Sequence, residues 1–122
     1  MLRQSDRWWS DVWRDGNVDA VLELFTDPFR RHSSTGTETL TPAAYRTRLG
    51  EVQRVLARAV TTIDDRVVAG DRVWTRATTR GLNLETGEQS VLTWLLVQRF
   101  EGDRIAEQWS ATLPGVEWTS GD

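Results

Sequence analysis

An α+β fold, helices first and an antiparallel sheet last, is what this 122-residue sequence predicts. Three observations carry that expectation. Apolar residues recur at helical spacing only in the first half of the chain, up to about Ala59. After Val60 they alternate along extended segments divided by the tight-turn signals Gly70-Asp71 and Glu101-Gly102-Asp103. No repeat, low-complexity stretch or linker interrupts the chain, so residues 1–122 read as a single domain.

The first helix is expected from about Ser5 to Asp15, with Ser5 as cap, Asp6 in the first turn and Gly16 just past its end. Trp9, Val12 and Trp13 form its stripe, with Trp8 beside them. Asn17 caps a second helix whose Val18, Val21, Leu22 and Phe25 fall at i, i+3, i+4 and i+7; Asp27-Pro28 stops it. Phe29–Ser33 reads as a short strand and Ser34-Thr35-Gly36-Thr37 as loop. Thr41-Pro42 starts a third helix that runs to about Ala59, its core face being Tyr45, Leu49, Val52, Leu56 and Ala59 and its far face Arg46, Arg54 and Arg58. The strands that follow are about Thr62–Ala69, Arg72–Arg80, Ser90–Phe100 and Arg104–Leu113, with Gly81–Gly87 a longer loop.

Composition excludes several chemistries. A net charge of −3 disfavours general nucleic-acid binding. All fifteen basic residues are Arg, which excludes a catalytic lysine. With no Cys there is no disulfide, thiol catalysis or Cys-based metal site, and a single His makes a transition-metal site unexpected. No glycine-rich phosphate loop is present. The longest apolar run, Val91–Val97, is too short for a membrane span, and the first residues carry no signal-peptide core; a cytoplasmic protein is the expectation.

Seven tryptophans, Trp8, Trp9, Trp13, Trp74, Trp94, Trp109 and Trp118, are more than a small core needs. Core packing accounts for most; the surplus points to an aromatic-walled cavity or a subunit interface. On the last strand Ile105, Glu107, Trp109, Ala111 and Leu113 alternate with Ala106, Gln108, Ser110 and Thr112. That puts Glu107 on the apolar face, where burial, if complete, would raise its pKa toward a usable acid or base; its place near the strand's start, at the rim, makes a solvated carboxylate the plainer reading. The strand Ser90–Phe100 is apolar on both faces and needs two covers, helices and a second subunit, which predicts a homodimer through the outer sheet face. On Arg72–Arg80 the small residues Val73, Thr75, Ala77 and Thr79 leave room for a ligand, while Trp74 lies on the other face. His32 is a candidate acid or base, or an ordinary polar strand residue.

Three segments in order carry a resemblance: Trp13 to Phe25 ahead of a strand with His32, Ala69-Gly70-Asp71-Arg72-Val73 ahead of a long strand, and Gln98 to Trp109 near the end. The chain resembles SnoaL-like proteins of the nuclear-transport-factor-2-like superfamily along nearly its whole length. That resemblance implies a cone: a strongly curved antiparallel sheet packed on three N-terminal helices, enclosing a pocket. It also implies a cofactor-free enzyme of secondary metabolism, a cyclase, isomerase or dehydratase acting on a small hydrophobic, polycyclic or polyketide-like substrate, and a dimer. The sequence departs from its relatives' acid and base sets. Leu113 stands where SnoaL-like cyclases often carry an aspartate. Ser33 or Ser34, Trp9 and Leu96 fall where ketosteroid isomerases have their base, a tyrosine and a second acid; Ala77 and Thr79 fall where epoxide hydrolases have an Arg and Asp pair.

The resulting expectation gives Glu107 and His32 proton transfer and Trp9 an N–H for a developing oxyanion. The pocket is expected from Trp13, Tyr45, Thr75, Thr79, Trp94, Leu96 and Trp109, with no metal and no cofactor. The family register offers a second choice of face, in which Arg31 and Ser33 point inward in place of His32. The alternative function is a non-catalytic small-molecule-binding or accessory domain on the same scaffold.

Overall fold

A π-helical segment near the start of the chain buries three indoles and a valine side by side. In the computed structural model, which describes residues 1–118, α1 (Leu2–Arg7) runs directly into a π-helical segment, Trp8–Arg14. The Asp15 N–H donates to the Ser10 carbonyl five residues back, at 3.0 Å. Trp8 and Trp13 are also five apart, which an α-helix would splay by roughly 140° at about 100° per residue. The wider turn brings their ring centroids to 5.9 Å. Trp8, Trp9, Val12 and Trp13 are all buried. Ser5, expected to cap this helix, is instead buried within α1, whose N-cap is Met1.

The second helix is shorter than its periodicity suggests. A 3₁₀ turn, Val18–Ala20, leads into α2 (Val21–Leu24), and Phe25 is already extended. Pairing of Phe25 with Ile105 competes with the last helical turn and wins, which leaves Leu22 exposed. β1 (Phe25–Ser33) turns at Ser34-Thr35 into β2 (Gly36–Leu40), a strand the sequence did not announce. α3 (Pro42–Gln53) begins as expected, the Thr41 hydroxyl oxygen accepting from the Ala44 N–H at 3.1 Å. It ends six residues before Ala59. Leu56 and Ala59 belong to β3 (Leu56–Ala69), Val52 is exposed, and Arg58 sits at positive φ, 55°, where β3 is irregular. β4 (Arg72–Asn83), β5 (Gln89–Glu101) and β6 (Arg104–Pro114) complete the chain.

The six strands form one sheet in the order β2-β1-β6-β5-β4-β3. Every pairing is antiparallel except β1 with β6, so the sheet is mixed rather than purely antiparallel. That parallel contact is allowed because α3 and the β3–β5 meander supply the long connection parallel neighbours require. The helices cover one face, giving the α+β cone.

Aromatic rings fill most of the space under that face. Trp8 stacks on Tyr45 at 6.0 Å and meets Phe25 edge-on at 5.7 Å. Trp9 and Trp13 approach Trp94 edge-on at 5.3 and 5.4 Å. Each such pair adds about 0.5–1.5 kcal/mol beyond the area it buries.

β3 and β4 approach closely at Gly81, where a Cβ would lie 2.8 Å from Leu56 Cδ1 and 3.1 Å from the Ala57 carbonyl. Gly81→Ala should therefore destabilise the fold by about 1–3 kcal/mol. Gly50 in α3 has nothing within 4 Å of the same position, so Gly50→Ala should stabilise it by about 0.5–1 kcal/mol. Urea melts of the two variants check the opposite signs.

Candidate functional site

One extra residue in β6 decides which side chains face the interior. Phe100 pairs with Ile105 but Arg99 pairs with Glu107, leaving Ala106 as a bulge. A bulge breaks the two-residue alternation. Ile105 therefore points into the core, whereas Glu107, Trp109 and Ala111 point to the outer face with their partners Arg99, Val97 and Leu95. Gln108, Ser110 and Thr112 point inward, opposite Gln98, Leu96 and Trp94. β1 follows: Arg31 shares the inner face with Gln108, and His32 shares the outer face with Trp109.

Under the inner face a cavity of about 240 Å³ opens between α3 and the sheet. Trp13, Trp94, Tyr45, Leu49, Leu56 and Leu92 wall it. Its polar lining is Arg31, Ser33, Ser34, Arg48, Gln108, Ser110 and Thr112, with no carboxylate and no imidazole among the described lining residues. Gln108 and Gln98 are buried and bonded to each other, Nε2 of Gln98 donating to Oε1 of Gln108 at 3.0 Å. Burial pushes the Tyr45 hydroxyl pKa up, against the pull of Arg31, so it stays protonated and able to donate. Arg31 lies over the Tyr45 ring at 5.5 Å and donates to Glu38 at 3.1 Å; Arg48 donates to the same Glu38 oxygen. The bond from Arg48 holds the Glu38 carboxyl below the usual range; burial opposes this and Arg31 adds to it.

The outer face carries the other candidates. In register across all six strands lie Val67, Trp74, Val97, Trp109, His32 and Thr37, one from each. Trp109 is sandwiched: His32 stacks on it at 5.1 Å and 7°, and the Arg72 guanidinium lies 5.1 Å from its centre. His32 is held at both nitrogens, Nδ1 at 2.7 Å from the Thr37 hydroxyl and Nε2 at 2.6 Å from Glu107 Oε2. Arg99 donates to the other Glu107 oxygen at 3.2 Å. Burial acts to raise the Glu107 pKa, but the bonds and charges of His32 and Arg99 outweigh it and leave it below the ordinary value. This corrects the expectation of a raised Glu107. An apolar groove of about 540 Å³ runs along the row.

The expected pocket thus divides. Trp13, Tyr45 and Trp94 line the inner cavity, together with Arg31 and Ser33 from the alternative register. Glu107, His32 and Trp109 are brought together, but on the opposite face. Thr75, Thr79 and Leu96 are buried in the sheet layer and do not line the inner cavity; Thr79 accepts from the Trp94 indole at 2.9 Å. Trp9 packs behind Trp94 and also stays off the cavity wall. Arg48, Gln108, Ser110 and Thr112 were missed as site residues. The alternation of β6 named the last three as one face, but nothing in the sequence marked Ala106 as a bulge. Ser33 and Ser110 border both hollows. No group of three or more metal-ligating side chains converges among the described residues, and no helix there is long and apolar enough to cross a membrane.

The sequence matches the SnoaL-like domain over residues 6–108. No curated protein sequence matches it. Among solved structures, a candidate polyketide cyclase of Acidithiobacillus ferrooxidans is similar with a TM-score of 0.83 at 20% identity, over 90% of this chain and 85% of that one. IdmH, a candidate polyketide cyclase of Streptomyces antibioticus, is similar with a TM-score of 0.76 at 20% identity, over 91% and 90%. A hypothetical protein of ketosteroid isomerase-like fold from Catenulispora acidiphila, in complex with trimethylamine, gives 0.75 at 18% identity, over 88% and 82%. At these identities the likeness shows the fold.

Because the Glu107 pKa is lowered on folding, its contribution to stability is full above the ordinary carboxylate range and is lost as pH falls through the folded value. Glu107→Gln should cost about 1–3 kcal/mol at neutral pH and flatten the acid side of the stability profile. Urea melts from neutral to acid pH check this; an unchanged acid limb would contradict it.

Proposed function

This chain belongs to the SnoaL-like domain family, and from that membership we propose that it is a cofactor-free cyclase or isomerase of secondary metabolism, acting on a polycyclic or polyketide-like intermediate in the inner cavity. The observation that carries the reading is the cavity itself: aromatic walls, several hydrogen-bond donors and no carboxylate on its described lining. At about 240 Å³ it is smaller than the roughly 300–1,000 Å³ of common ligand sites. It holds the reacting end of a substrate, with the rest emerging through the mouth.

Such a site works by shape and by stabilising charge. The indoles of Trp13 and Trp94 hold a flat or folded chain in one arrangement; a near-attack geometry is worth about 7–11 kcal/mol. A methylene flanked by two carbonyls is acidic enough to release its proton to water at the mouth. The enolate carbon attacks a third carbonyl farther along the same chain, and the alkoxide formed takes a proton back. The Tyr45 and Ser110 hydroxyls and the Trp13 N–H donate to the oxygens as they gain charge, each such donor typically worth about 2.7–4 kcal/mol. His32 and Glu107 move no proton for the substrate in this scheme; they brace the outer row. The lack of a carboxylate or imidazole among the described lining residues also favours a second reading, binding without catalysis.

The outer row fits a subunit interface. Trp74, Val67 and Leu95 are each about half exposed, in one apolar band with Val97 and Trp109. We propose that a second copy of the chain covers it.

A Thr112→Trp variant, which blocks the mouth, should abolish the quenching of tryptophan fluorescence by naphthol that the unmodified protein shows. The unmodified protein should speed the cyclisation of a linear tetraketone at least ten-fold over the blocked variant. Saturable binding with no acceleration selects the binding reading, and no binding contradicts both. Trp74→Glu should sediment as a monomer where the parent is a dimer; a monomeric parent would contradict the interface.

A further inference from the structure

We propose that the substrate of the inner cavity is an acid, whose carboxylate is received by Arg31. The proposal rests on the inner cavity being the ligand site, and it names the substrate class.

The charges around the mouth do not balance. Arg31 on β1 and Arg48 on α3 both line the cavity, and both spend a guanidinium nitrogen on one oxygen of a single carboxylate, Glu38 on β2. Glu38 is held ionised by that pairing. Two positive charges against one negative leave a surplus of one, the charge of a carboxylate. The other charged residues flanking Arg31 in the sheet, Arg30 and Glu107, belong to the opposite face.

The unspent hydrogen-bond capacity has the same sign. Arg31 Nε is buried with no protein acceptor, and so is Trp13 Nε1; both residues line the cavity. Both are donors only. Buried polar groups in folded proteins are nearly always paired. On the same face Gln98 Oε1 is a buried acceptor without a partner, but Gln98 does not line the cavity, and no lining residue among those described has a buried acceptor left over. A ligand that completes this wall brings acceptor oxygens and negative charge.

The geometry of Arg31 is preset. The Tyr45 ring lies beneath the guanidinium at 5.5 Å, and the bond to Glu38 anchors Nη1. That leaves the Nε edge for a second partner. A planar guanidinium matches a planar carboxylate in a way an ammonium does not.

The test is binding of naphthoate and of its methyl ester to the intact protein, followed by calorimetry at low salt. The acid is expected to bind at least ten-fold more tightly than the ester. Arg31→Gln should reduce the acid to the level of the ester measured on the same variant; Arg31→Lys should keep part of the preference. Equal affinities for acid and ester in the unmodified protein, a comparison that needs no variant, would overturn the proposal while leaving the cavity as the ligand site. A preference that survives Arg31→Gln would also overturn it. Failure of both compounds to bind would overturn it together with the cavity reading.

Discussion

The bulge at Ala106 is the constraint on which the rest of the molecule depends. A strand shows each face every second residue, so one inserted residue sends everything beyond it to the other side. Ile105 stays in the core, but Glu107 and Trp109 go outside and Gln108, Ser110 and Thr112 go in. β1 is paired to β6 in parallel and inherits the same division, which sends His32 out and Arg31 in. Ala106 is small and buried, so the extra residue is accommodated with only a methyl group to place.

Two surfaces of different chemistry result. The inner one is aromatic and rich in donors, with a cationic corner built by Arg31, Arg48 and Glu38. The outer one gathers the acid and the imidazole into a braced row, where Glu107 is clasped by His32 and Arg99 and Trp109 lies between His32 and Arg72. The tryptophans divide accordingly. Trp8 and Trp9 fill the cone, Trp13 and Trp94 wall what remains of it, and Trp74 and Trp109 lie outside. Trp118 is half exposed after the last strand and has no partner in this account.

Much of the fold was legible. The meander after Val60 was marked by alternation and by Gly70 and Gly102, and α3 by its Thr41-Pro42 start. Its end was not, because Tyr45, Leu49, Val52, Leu56 and Ala59 keep a helical period through residues that pair with β4 instead. The π-helix was hidden for the same reason: i, i+3, i+4 spacing fits an α-helix until four bulky residues must share a face. β2 lacks an apolar pattern altogether. The site was half legible. Trp13, Tyr45 and Trp94 follow from periodicity and family register. Arg31 and Ser33 followed only from the alternative parity. The placement of Glu107 could not be had, because alternation carried from Ile105 is undone by a backbone irregularity with no residue signature. Its pKa is held down, against burial, by His32, seventy-five positions away, and by Arg99.

The most direct test of the central claim, that ligand chemistry belongs to the inner face, is a crystal structure of the protein with bound naphthoate. The rings are expected in the inner cavity, against the wall that Trp13 and Trp94 form, and the carboxylate at Arg31. Rings lying instead in the outer groove against Trp109 and Trp74, with the inner cavity closed, would contradict it.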